Sequence, residues 1–134
     1  MQKEKDIEFG KAKEKELLPR LRERFDMTLE VDTFEYAGLD YLGKAWCGEL
    51  KSRRNSLKAY PTTMIGANKL EEAKKALLPT FFAFSFTDGD YYWIYNEADI
   101  ENGNVIFAVG GRGDRGSKER QQYAYIKTSI LQRL

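Results

Sequence analysis

Along residues 10–25, Gly10, Glu14, Leu17, Leu18, Leu21 and Phe25 recur at helical spacing, with lysines and arginines around the other faces. This predicts an amphipathic helix over "KAKEKELLPRLRERF", and Pro19 inside the pattern is expected to kink it or shift its start. Glu14 is a carboxylate on the apolar stripe. "MTLEVDTFEYAG" (27–38) is rich in β-branched and aromatic residues and reads as a strand. "LDYLGKAWCGELKSR" (39–53) reads as a hairpin turning near Gly43 and Lys44, and "RRNSLKAYPTT" as a polar loop. "NKLEEAKKALL" (68–78) predicts a second helix with Asn68 as N-cap, Glu71 completing a capping box, and Leu70, Ala73, Leu77 and Leu78 on its buried side. "TFFAFSF" and "YYWIYN" flank an Asp-Gly turn and read as another hairpin. "NVIFAVGG" is a further strand, "RGDRGSKERQ" a Gly-rich basic loop, and "QYAYIKTSI" a last strand or extended tail. The order predicts an α/β protein: a mixed β-sheet flanked by two helices, in one domain spanning 1–134.

Composition narrows the chemistry more than the fold. The 134 residues contain no histidine, which removes Ser-His-Asp and Cys-His catalysis and nearly all zinc sites. What remains is carboxylate, lysine, arginine, tyrosine and an oxygen-bound metal such as magnesium. Net charge is only +1, so any nucleic-acid reading rests on local basic clusters. The lone Cys47 points to a reducing, cytoplasmic setting. No apolar run approaches the roughly 18 residues of a membrane span, and the charged N-terminus does not read as a secretory signal.

Against that background "CGELKSRR" (47–54) stands out. Glu49 and Lys51 are two residues apart on a predicted strand, so they share one side about 7 Å apart, while Leu50 points the other way. The bland reading is an ion pair on a solvated sheet face. The sharper one uses the hairpin, whose return can bring Asp40 beside Glu49 so that both carboxylates share a divalent cation. Glu14, from the first helix, could complete the set, and the Leu50 carbonyl offers another hard oxygen. Such a site can hold magnesium open to water and a phosphate oxygen, with Lys51 beside the attacking water or the developing charge.

At these residues the chain resembles the PD-(D/E)XK nucleases, the superfamily of restriction endonucleases, archaeal junction resolvases and phage exonucleases. The resemblance is carried by "GKAKEKELLPRL", "LD", "GELKSRR" and a helix bearing Lys69, over about residues 8–95. It is nearest in character to small phage- or large-virus-type members with an "ELKSRR…YPTTMIG..K" stretch, here Glu49–Arg54 and Tyr60–Lys69. It implies a restriction-endonuclease-like core and metal-dependent hydrolysis of DNA, with Mg2+ or Mn2+ as cofactor. Carried over, Asp40 is the first carboxylate, Glu49 the second, Lys51 the catalytic lysine and Glu14 the helix carboxylate. Leu39 stands where the family has proline, which leaves Asp32 and Glu35 as rivals to Asp40. Glu8 similarly competes with Glu14.

Arg53, Arg54, Lys69, Arg112 and Arg115 are the candidate phosphate contacts, each with a solvated surface charge as its plainer reading. Members of the superfamily often pair to cut two strands, so a homodimer is the expected oligomer. The rival reading is a non-catalytic DNA-binding accessory protein on the same fold. A third is a protein-interaction domain that uses an aromatic sheet face.

Overall fold

The computed structural model describes residues 2–31, 39–110 and 121–134, with side chains from residue 8 onward. Its elements are α1 (Gln2–Arg24), β1 (Glu30–Val31), β2 (Tyr41–Leu42), β3 (Cys47–Ser52), β4 (Thr62–Gly66), α2 (Ala67–Lys75), β5 (Thr80–Phe86), β6 (Gly89–Ile94), α3 (Glu97–Glu101), β7 (Val105–Gly110), β8 (Gln121–Lys127) and β9 (Gln132–Arg133).

α1 buries Leu17 and Leu21 completely, as the stripe predicts. It is longer than the sequence pattern suggests and runs unbroken through Pro19. Pro19 and Lys15 are both exposed on one face, so the Lys15 carbonyl that loses its helical donor turns to water.

The strands form a six-stranded sheet in the order β1-β2-β3-β5-β6-β9 and a three-stranded sheet in the order β4-β8-β7. β3 and β5 are parallel and every other pairing is antiparallel, so the larger sheet is mixed. β5 is the central strand and all seven of its residues are buried, because both faces of the sheet are covered. On one face Phe81 and Ala83 pack with Leu50, Tyr41, Leu17, Leu21 and Leu29 beneath α1. On the other, Phe82, Phe84 and Phe86 pack with Trp93 against Leu70 and Ala73 of α2 and Ile65, Val105, Ala124 and Ile126 of the smaller sheet.

Several local expectations are corrected by this arrangement. Among the described residues the single sheet with two helices becomes two sheets with three α-helices. Residues 62 and 63, read as the end of a polar loop, begin β4, which pairs with β8 across some sixty residues of chain. The short α3, with the Asn96 side chain accepting from the Ala98 N–H, had no periodic signal to reveal it. α2 starts at Ala67 with Gly66 as N-cap, placing Asn68 inside the helix because β4 runs directly into it. It ends at Lys75, and Leu77 is 101% exposed rather than buried. Pro79 disfavours helical geometry at Leu78, and the chain must straighten to enter β5. Within 27–38, Glu30 and Val31 form β1, and 32–38 lie outside the described residues.

Both predicted hairpins form. Tyr41 opposes Gly48 and Leu42 opposes Cys47, with the Gly43 N–H donating to the Trp46 carbonyl at 2.9 Å. The Asp26 carboxylate clamps that turn, accepting from the Thr28 N–H and hydroxyl at 2.8 and 2.6 Å and from the Ala45 and Trp46 N–H groups at 2.8 and 3.1 Å. In the β5–β6 hairpin Gly89 has φ +155°, a conformation other residues rarely adopt. No helix among the described residues is long and apolar enough to cross a membrane.

Candidate active site

β2 pairs with β3 for only two residues, so among the described residues no strand covers that edge of β3 from Glu49 onward. Asp40, the residue before β2, falls opposite Glu49 if the antiparallel register is continued, and its Oδ2 accepts from the Leu50 N–H at 2.9 Å. α1 crosses above, tied down by the Tyr41 hydroxyl donating to the Glu14 carbonyl at 2.8 Å. Three elements from separate parts of the chain therefore meet at one cleft of about 560 Å3. It is lined by Phe9, Gly10, Lys11 and Glu14 from α1, by Asp40, and by Glu49–Arg54 from β3 and its continuation.

Glu49 is 3% exposed, the most buried acid among the described residues. It shares the face of Phe82, its partner on β5, and so lies against the second layer. The Lys69 ammonium, from α2, stands 3.5 Å from Oε1, and Oε2 is buried with no hydrogen-bond partner among the described residues. Burial is the main reason its carboxyl is pushed up from 4.5 to about 7; Asp40 pushes the same way, while Lys51 and Lys69 pull it back. The Glu14 carboxyl is also raised to about 7, first by burial and then by Asp40, with Lys11 and Lys51 opposing. Asp40 thus acts electrostatically on both glutamates.

Asp40, Glu49, Leu50, Lys51 and Glu14 all line this cleft. Asp32 and Glu35 lie outside the described residues. Glu8 is exposed on α1 and does not line the cleft, whereas Glu14 does. Arg53 and Arg54 reach it too, in different states. Arg53 donates to the Met64 carbonyl and, at 3.3 Å, to the Thr63 hydroxyl, joining β3 to β4. Arg54 stacks over Phe9 with its guanidinium carbon 5.6 Å from the ring centre. Lys69 is engaged with Glu49. Arg112 and Arg115 lie outside the described residues. Sequence reasoning missed Lys11 and Ser52. Lys11 sits one helical turn before Glu14, a spacing that could have singled it out. The Ser52 hydroxyl is buried without a partner among the described residues and gave no sequence signal.

The donors can be tested against a divalent metal. Among the described residues no group of three or more acidic or cysteine side chains is arranged to hold an ion. Magnesium does not need one: it binds through one or two carboxylates and fills its remaining positions with water and substrate oxygens. Glu49, with one buried oxygen unpartnered among the described residues, lines the cleft together with Asp40 and Leu50, whose carboxylate and backbone carbonyl add further oxygen donors of the kind such an ion takes.

The chain is an α/β protein with a mixed sheet, and Asp40, Glu49 and Lys51 line one cleft of it. Residues 24–133 match the family described as "Phage putative PDDEXK endonuclease", and the chain belongs to that phage PD-(D/E)XK family. The match runs well past residue 95 and takes in the smaller sheet, while most of α1, including Glu14, precedes it. No curated protein and no solved structure matches the chain.

Proposed function

We propose that this protein is a divalent-metal-dependent deoxyribonuclease that hydrolyses DNA phosphodiester bonds by water attack, on a restriction-endonuclease-like core and inside the infected cell. The observation that carries this reading is Glu49: a carboxylate 3% exposed, one oxygen unpartnered among the described residues, with Asp40 beside it and Lys51 on the same strand face. Burying an acid there costs stability, and a structural ion pair does not explain why Asp40 should be placed to worsen it.

Asp40, Glu49 and the Leu50 carbonyl are the residues that would hold Mg2+ or Mn2+, with Glu14 facing the same cleft. When bound, the ion supplies Lewis-acid polarisation of the phosphate and a more acidic water. The chain's own contributions are positional and electrostatic. The Leu50 N–H fixes one Asp40 oxygen, and Lys69 holds one oxygen of Glu49, so both carboxylates are oriented before substrate arrives. The Lys51 ammonium stabilises negative charge as it builds on the attacked phosphate. Arg54, at the rim, suits a phosphate beside the scissile bond.

The test is cleavage of plasmid, linear and branched DNA with magnesium or manganese by wild type, Lys51→Ala and Glu49→Gln. Wild type cuts and both variants lose at least a hundredfold; undiminished cutting by the variants refutes the assignment. The Lys69–Glu49 ion pair favours a second reading, in which the carboxylate is neutralised by lysine and the protein binds DNA without cutting it. That reading predicts DNA affinity indifferent to a chelator.

A further inference from the structure

A second cleft, of about 370 Å3, adjoins the candidate active site and shares Arg53 with it as a common wall. Its lining includes Asn55, Tyr60, Thr62, Met64 and Tyr125. Met64 of β4 lies directly opposite Tyr125 of β8. Their neighbours Thr63, Ile65, Ala124 and Ile126 are buried, so by strand alternation Met64 and Tyr125 occupy the outer face of the smaller sheet. Tyr60, at the rim, is 61% exposed, belongs to neither apolar cluster and has no ring packed on it among the described residues. Among the described residues Arg53 is the one formal charge in the lining, and no carboxylate lines the cleft.

Resting on the nuclease reading above, we infer that this cleft receives an unstacked base of the strand being cut, so that the preferred substrate is DNA that is single-stranded or locally opened beside the scissile phosphate. A strand whose phosphate sits at the Glu49–Lys51 cleft and which leaves it past Arg53 brings its next base against tyrosine rings and a thioether instead of solvent. The volume is at the small end for ligand pockets and suits one flat heterocycle rather than a stacked pair. A base held within a duplex cannot turn into such a cleft without leaving its stack, a cost that is least where the strand is already unpaired. Tyrosine faces stack on any base, so the cleft selects for an open strand and not for a sequence.

The test compares cleavage of a single-stranded oligonucleotide and a perfect duplex by wild type, Tyr60→Ala and Tyr60→Phe, with magnesium. Tyr60 lies outside both cores, so the fold does not depend on it. Tyr60→Ala should raise the KM for single-stranded DNA by roughly tenfold with kcat little changed, Tyr60→Phe should stay near wild type, and the duplex should be the poorer substrate throughout. An unchanged KM in Tyr60→Ala, an equal loss in Tyr60→Phe, or a wild-type preference for the perfect duplex overturns the inference and leaves the nuclease reading standing. A wild type that cuts no DNA in either form removes both.

Discussion

Replacing Glu49 by glutamine should make the metal-free protein more stable while destroying its chemistry. The folded carboxyl titrates at about 7 against 4.5 in the ordinary state, chiefly because it is buried. A raised folded value means the native protein keeps a proton that the unfolded chain has already lost. The native state is favoured fully below pH 4.5, and that advantage drains away as pH rises through 7. At about 1.4 kcal/mol per pH unit, the interval from 4.5 to about 7 corresponds to about 3 kcal/mol of destabilisation above pH 8. Glutamine keeps the shape and cannot ionise, and the value of about 7 already contains the pull of Lys69, so a net gain of about 3 kcal/mol at pH 8 is expected. At pH 5, where the wild-type carboxyl is protonated when folded, the two proteins should differ little. Urea denaturation of both in chelator at pH 5 and pH 8 measures this, and the comparison cancels titrations common to both. Adding magnesium at pH 8 should then stabilise wild type and leave Glu49→Gln unmoved. A variant no more stable than wild type at pH 8, or one whose gain persists undiminished at pH 5, refutes the claim that this carboxylate is held at a desolvation cost.

Four further variants probe the scaffold. Asp26→Ala should melt earlier than wild type at neutral pH, because the Asp26 carboxyl is held down at about 2 by Thr28 and by the Ala45 and Trp46 N–H groups. A lowered folded value adds stability above pH 3.8 that is lost as pH falls through 2, so the gap between the melting curves should close over that range. Gly48→Ala should cost about 1–3 kcal/mol in urea denaturation, since an added Cβ would run into the fully buried Phe81 ring; cleavage should fall with it, as the next residue is Glu49. Arg53→Met should lose about 1.5–3 kcal/mol by the same assay through its bonds to Met64 and Thr63. Arg53→Lys should recover little of that, because one ammonium does not reproduce the guanidinium fork.

Local spacing alone determined a good deal here. The Leu17–Leu21 stripe, the two hairpins and the shared face of Glu49 and Lys51 all follow from periods of 3.6 and 2, which depend on nothing beyond a few neighbouring residues. The Asp40–Glu49 juxtaposition was also within reach, because a hairpin fixes its own register. Glu14 came into view as a carboxylate out of place on an apolar stripe. Only the folded chain decided that β4 leaves the loop to pair with β8 in a second sheet, since that contact joins segments some sixty residues apart. The same folding sends Lys69 to Glu49 and commits the Arg53 guanidinium to β4. It also sets the two glutamates' proton affinity, which depends on how much water the packed layers exclude. Desolvation and long-range pairing are properties of assembled surfaces, and no window of sequence contains them.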